Sequence, residues 1–353
     1  MVEVENEGIL LEPKYDFEKG GILNPACVAV GNEVWMYYRA VSKGDISTIG
    51  FCKIKDDEVI ERQDSPILAP EYDYETKGLE DPRITYIDGI YYLFYTAYDG
   101  KNAQIAYATT KELPHFQKQG LLFPEITYEK VGELFKKTNL SLRYKAFEEE
   151  NQNAIGDDAL LWEKDAFLFP EKINGKFALG HRILPGIQIV YFNDFKDLTK
   201  DFWQNYLTNL DKYVAIEPKF WFDSKSVGGG CPPIKTEFGW LIIYHTVEYS
   251  SLGRCYHAAA ALLDLKDPRK VIGRLSEPLF SPESHFETNG IANNVVFPTA
   301  ALRNGNQLKI YYGAADEVIA LKSLNFNDLI EELRGISLES AAPKLIPAEE
   351  TLS

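Results

Sequence analysis

The stretch GLEDPRITYIDGIYYLFYTAYDGKNAQIAYATT (78–110) reads as three consecutive strands. An X-Pro pair, Asp81-Pro82, opens the first, at a place where the missing N–H breaks no ladder bond. A turn at Asp88-Gly89 leads into an aromatic run, and after Asp99-Gly100 comes a second apolar run of strand length. Together the two runs read as an antiparallel hairpin.

The same module recurs along the chain. NEVWMYYRA (32–40) precedes TIGFCKI (48–54), and GKFALGHR (175–182) precedes GIQIVYF (186–192). GWLIIYHTV (239–247) precedes YHAAAALLDL (256–265), and NQLKIYYGAAD (306–316) precedes EVIALKSL (317–324). Upstream of these hairpins stand Asn24-Pro25, Phe169-Pro170, Pro232-Pro233 and Phe297-Pro298. A proline-bearing linker comes before each unit: GILLEPKYDFE (8–18), SPILAPEYDYE (65–75), GLLFPE (120–125), IEPKFWFD (216–223) and EPLFSPESHFE (277–287). Five such units predict radial repetition, an all-β, five-bladed β-propeller forming a single domain over 1–353. A β-sandwich is the alternative, but it would not need proline at one phase of every unit. Two charged, partly helix-periodic stretches interrupt the repeat at about 127–152 and 193–214, and a C-terminal helix capped by Asn327 is expected over about 327–335. The insertions are candidates for an oligomer contact or for the rim of the central cavity.

Composition narrows the function. With 53 acidic against 37 basic residues the net charge is −16, which argues against a nucleic-acid partner. No apolar run is long enough to span a bilayer, so no membrane role is expected. The first residues are acidic where a signal peptide would be basic. Cys27, Cys52, Cys231 and Cys255 form no CxxC pair and read as reduced thiols packed as small hydrophobes, so the expected setting is the cytoplasm. The five histidines show no HExxH spacing, so no metal is expected. The GGG at 228–230 lacks the Lys-Ser/Thr of a phosphate loop, and no G-x-S-x-G elbow is present.

In a propeller the first strands line the axis. That places Asn24, Glu80, Asp81, Arg83, Glu171, Lys172 and Asn293 or Asn294 around one space, joined by Arg39, His181, Arg182, His245 and Asp316 from the second strands. Acids, amides and bases among aromatics suit a polyhydroxylated ligand. Cleaving a glycosidic bond further requires a carboxylic acid to protonate the leaving oxygen. For each carboxylate, a salt bridge bracing the sheets is the competing reading.

These motifs carry a family resemblance. GLEDPRIT (78–85), DAFLFPEKINGKFALGHR (165–182), GGGCPPIKTEFGWLIIYH (228–245), ALLDLKDPRKVIGRL (261–275) and NNVVFP…YYGAAD (293–316) resemble glycoside hydrolase family 130 over nearly the whole chain. That family comprises β-mannoside phosphorylases and some β-mannosidases on a five-bladed propeller. The resemblance implies that Asp81 is the general acid, acting through a sugar hydroxyl. It implies that Asn24, Arg39, Lys172 and Asp316 hold the mannose, and that Lys164, Arg182, His245 and Tyr256 bind phosphate. No cofactor is implied, only inorganic phosphate as co-substrate, and a homo-oligomer is compatible with the helical insertions.

Two positions depart from the pattern. Pro25 stands where some relatives carry a small polar residue, and Ser226-Val227 stands where phosphorylases often place a phosphate-touching lysine. Lys225 sits one residue early, which in a strand turns its side chain to the other face. Phosphorolysis with inversion, releasing α-mannose 1-phosphate, is the expected activity. The alternatives are an inverting hydrolase with Glu248 as base, and a sugar-binding propeller without activity. An arabinanase-like enzyme would need an early catalytic Asp, for which Asp16 in KYDFE is a poor fit.

Overall fold

A computed structural model describes residues 2–250 and 253–335; the domain reading over 1–353 extends beyond them at 336–353. The chain is mostly β with few helices. Among the described residues the strands form five antiparallel units. The first holds Ile22–Val30, Glu33–Val41, Ser47–Lys55 and Glu58–Arg62, and the second Gly78–Ile87, Ile90–Tyr98, Ala103–Thr110 and Gln117–Leu121. A single parallel pairing, Ser47 with Gly78, joins these two. The third unit comprises Lys164–Leu168, Phe177–Ile183, Gly186–Phe192 and Val214–Ile216. In the fourth, Ser226–Gly229 and Ile234–Lys235 both pair with Trp240–Ser250, followed by Gly253–Leu263 and Val271–Arg274. The fifth takes Val296–Asn304, Gln307–Ala314 and Val318–Asn325 and is completed by the N-terminal strand Val4–Leu11, paired antiparallel with Val318–Asn325.

The middle strands are buried without a break, as over 92–97 and 257–263, so these sheets pack both faces against neighbours. Among the described residues the core divides into five clusters, each between two units. One example is Tyr37, Ile49, Phe51, Leu93 and Tyr95 between the first and second. Another is Met36, Tyr38, Tyr311 and Ile319 between the first and fifth.

The linker recurrence has a physical cause. In four units the linker ends in a short turn whose carboxylate is buried and accepts backbone N–H groups. Glu18, Glu75 and Glu287 then accept the hydroxyls of Tyr38, Tyr95 and Tyr312 at 2.7, 2.8 and 2.6 Å. A cation closes each cluster: Arg62 at 2.7 Å, Lys118 at 2.6 Å and Lys322 at 3.1 Å. In the fourth unit Arg274 bridges Asp223 at 2.6 Å and the Tyr244 hydroxyl at 2.8 Å. The third unit puts His181 at the tyrosine position, with Nδ1 2.7 Å from Glu163 and Nε2 2.5 Å from the Tyr206 hydroxyl. A buried charge is tolerated only when paired and hydrogen-bonded in this way.

The helices Tyr128–Phe135, Leu142–Ile155 and Lys200–Thr208 enlarge the cluster between the second and third units. Trp203 is wholly buried there and donates to the Leu122 carbonyl at 3.0 Å. The C-terminal helix spans Phe326–Gly335, so Asn327 lies inside it. Asn325 takes the capping role instead, its Oδ1 accepting from the Asp328 N–H at 3.1 Å.

Candidate active site

The site is built on a repeated irregularity of the first strands. Register shifts fall between Leu23 and Ala26, between Glu80 and Arg83, and between Lys164 and Phe167. Each bulge holds an Asn or Asp in the left-handed region: Asn24 at φ 51°, Asp81 at 53° and Asp165 at 59°. Short polar side chains tolerate that conformation best, and a bulge re-aims a side chain out of the pleat. Asp165-Ala166 is therefore the counterpart of Asn24-Pro25 and Asp81-Pro82. The Phe169-Pro170 pair, expected to hold that place, lies just beyond the end of its strand.

Around the bulges the side chains interlock. The Asp81 Oδ1 accepts from Asn24 Nδ2 at 2.8 Å and from Arg39 Nη1 at 3.2 Å. Arg39 also donates to Glu80 at 2.7 Å and to the Ser47 hydroxyl at 2.9 Å. Lys164 reaches the other Glu80 oxygen at 3.2 Å. Arg83, wholly buried, donates to the Asp81 carbonyl at 2.6 Å and to the carbonyls of Gly229 and Gly230 at 2.9 and 3.0 Å. Asp316 (φ 57°) faces the same space and, with Arg39, Glu80, Ser47, Lys77 and Tyr98, lines a cavity of about 400 Å³.

Beyond Lys164 lies a basic half. Arg182 Nε is 2.9 Å from Asp165 Oδ2, and Arg182 Nη1 is 3.4 Å from His245 Nε2. His245 and Arg83 each stand 3.7 Å from the Asp165 carboxylate. The His245 ring stacks on Phe297 with centroids 4.1 Å apart, and Tyr256 lies 6.3 Å from it. Gly228 is required at the back of this pocket: a Cβ there would come within 2.5 Å of Asp165 Oδ2 and collide with the His245 ring.

Titration follows the same division. Burial pushes the Asp81 carboxyl up, but Arg39, Arg83 and Lys164 together with the Asn24 hydrogen bond outweigh it and hold the group at about 2. Burial raises Asp316 to about 6, with Asp81 and Glu80 adding to the rise and Arg39 opposing it. Burial depresses His245 to about 3, with Arg182 and Arg83 reinforcing it against Asp165, so the imidazole is neutral at pH 7. Asn24 Oδ1 and His245 Nδ1 are buried without a protein partner.

Several expected residues do not join this constellation. Lys172 pairs with Asp88 at 2.8 Å. Asp88 follows the strand whose start carries Asp81, seven residues away or about 23 Å. Glu171 is ion-paired with Lys235 at the surface. Phe169-Pro170 phasing places both on the axis, and the family resemblance also gives Lys172 to the mannose; with the bulge at Asp165, neither side chain reaches the constellation around Asp81. His181 faces the buried Glu163–Tyr206 cluster. Asp16 is exposed and paired with Lys19. Ser226, opposite Val247, shares the face of His245, while Lys225 stacks over the exposed Tyr249 ring at 5.1 Å. Glu248 lies on the face opposite His245 and hydrogen-bonds His257 at 3.2 Å, so it is turned from the pocket in which a hydrolytic base would act.

A family model described as β-1,4-mannooligosaccharide phosphorylase matches residues 12–334. The chain belongs to glycoside hydrolase family 130. Among family members, it is 33% identical over 332 residues to the 1,2-β-oligomannan phosphorylase of Thermoanaerobacter sp. strain X514, covering 91% of this chain and 96% of that protein. The β-1,2-mannobiose phosphorylase of the same organism is 32% identical over 339 residues, with the same coverage. The structure of the Listeria innocua β-1,2-mannobiose phosphorylase in complex with β-1,2-mannobiose superimposes with a TM-score of 0.71 at 25% identity, covering 94% of this chain and 99% of that one.

Proposed function

We propose that this family 130 enzyme is an inverting β-mannoside phosphorylase acting on β-1,2-linked mannosides, with its five sheet units closed into one five-bladed propeller. Closure is supported by the core cluster between first and fifth units, by the N-terminal strand completing the fifth, and by the Thr299 hydroxyl donating to the Pro25 carbonyl at 2.6 Å. The β-1,2 linkage is supported by the names of the relatives. Four cysteines held as thiols suit the cytoplasm.

One observation carries the choice of nucleophile. Lys164, Arg182 and a neutral, half-partnered His245 form a cationic pocket beside Asp81, while Glu248 points away. A dianion needs such a pocket to be held against the anomeric carbon. Asn24, Arg39 and Asp316 hold the mannose, and Tyr256 and Ser226 flank the phosphate. The balanced step is β-mannosyl–OR + HPO₄²⁻ → α-mannose 1-phosphate²⁻ + ROH. The C1–OR bond breaks as C1–O–P forms on the opposite face. The proton reaching the leaving oxygen passes from Asp81 through a sugar hydroxyl and is restored from hydrogen phosphate. Phosphate bound at Lys164 and Arg182 offsets the positive charge that keeps Asp81 ionised in the free protein, and so favours its protonation when it is needed.

Product analysis on β-1,2-mannobiose with and without phosphate tests this reading. Mannose 1-phosphate is expected only when phosphate is present; free mannose at an unchanged rate without phosphate would overturn it. Arg182→Ala is expected to raise the phosphate KM by about 10- to 100-fold, the worth of a charge-assisted hydrogen bond, with little change in the mannoside KM. The reverse pattern would move Arg182 to the sugar.

A further inference from the structure

We propose that Glu248, Cys255 and His257 form a binding site for a divalent transition metal of the zinc class, placed behind the strand that presents Tyr256. The hairpin Trp240–Ser250/Gly253–Leu263 pairs Glu248 with Cys255 and Thr246 with His257, which sets all three donors on one face. Their ligand atoms lie within 4.8 Å of one another, and Glu248 Oε2 is 3.2 Å from His257 Nε2. Donors around a tetrahedral zinc stand about 3.5 Å apart, so small side-chain adjustments close the set. His257 Nδ1 meets the Ser281 hydroxyl at 2.9 Å, an outer contact of the kind that orients a ligating imidazole. The Trp221 ring walls the site, its centroid 5.7 Å from that of His257.

The donor set selects the ion. Thiolate with imidazole and one carboxylate suits zinc or cobalt, whereas magnesium and calcium require oxygen ligands throughout. Three protein ligands leave a fourth position open to solvent. Binding releases the thiol proton: Cys–SH + M²⁺ → Cys–S–M⁺ + H⁺. Access is available because Cys255 is partly exposed, while Cys27, Cys52 and Cys231 are buried. Cys255 and His257 flank Tyr256, whose side chain emerges on the opposite face beside His245 and Phe297. The ion would therefore cross-link the two strands directly behind the basic pocket, whatever anion that pocket takes.

The test is a cobalt titration of the reduced, chelator-stripped protein. The expected result is a saturable near-ultraviolet thiolate-to-cobalt charge-transfer absorption with a stoichiometric end point, displaced by zinc. Cys255→Ser should abolish the absorption, and His257→Asn should weaken cobalt binding at least 10-fold. Zinc should raise the melting temperature of the unsubstituted protein and not of either variant. Should a variant fail to fold, Glu248→Gln, at a half-exposed position and still able to hydrogen-bond His257, is expected to weaken cobalt binding. No saturable absorption in the unsubstituted protein, or the same absorption in Cys255→Ser, would overturn the proposal. None of these readouts depends on sugar turnover, so the outcome is separate from the phosphorylase reading.

Discussion

Asp81→Asn protein is expected to turn over β-mannosides about 10²- to 10⁴-fold more slowly, the range of a lost general acid, with its phosphate affinity equal or higher, because a neutral side chain removes the carboxylate's repulsion of the anion. The substitution preserves shape and leaves Glu80 to pair with both Arg39 and Lys164, so the fold and the sugar pocket should persist. The loss belongs in kcat rather than KM, because the missing proton matters in the transition state. A second signature distinguishes a proton carrier from a brace. Asp81 is held at about 2 by Arg39, Arg83 and Lys164 acting against burial, so it carries no proton at neutral pH in the free enzyme. Phosphate beside Lys164 weakens that hold, and proton uptake should accompany ternary-complex formation. Calorimetry in buffers of differing ionisation enthalpy should record that uptake in the unsubstituted enzyme and not in Asp81→Asn. Retention of most turnover by Asp81→Asn would remove Asp81 as the acid.

Asp165→Asn is expected to destabilise the protein by about 3–5 kcal/mol, the usual cost of removing one partner from a buried charge set. Asp165 is the anion between Arg182 at 2.9 Å and the wholly buried Arg83 at 3.7 Å. Without it two guanidinium groups face each other and the ring of His245 uncompensated. Phosphate supplies a replacement anion, so the stabilisation gained on adding phosphate should be larger in Asp165→Asn than in the unsubstituted protein. Denaturant titrations with and without phosphate measure both terms. An unchanged midpoint, or an equal phosphate effect in the two proteins, would show that Asp165 neither balances nor positions the basic pocket.

Asp165 was also the residue least visible in the sequence. Asn24 and Asp81 announce their bulges because proline follows each, whereas Ala166 follows Asp165 and carries no such mark. Phe169-Pro170 offered a false phase, which carried Glu171 toward the site, agreed with the resemblance in carrying Lys172 there, and left Asp165 outside it. A closer signal was present in Lys164-Asp165: charged residues opening a strand that then runs apolar through Ala166-Phe167-Leu168. The metal-ligand cluster was hidden for a different reason. Cys255 and His257 are two apart, a spacing no helical motif uses, and Glu248 joins them through cross-strand pairing, which chain order does not display.

From the amino-acid order alone came the repeated strand unit, its hairpins and the grouping of Asn24, Arg39, Asp81, Arg182 and His245. These depend on period-two alternation, turn residues and proline phase, all of them local properties. Tertiary structure alone decided which face each side chain takes, that Lys172 and Glu248 point elsewhere, and that Asp165 balances two arginines. A bulge shifts register by one residue and reverses every face beyond it, and a buried charge is defined by neighbours contributed from other sheets.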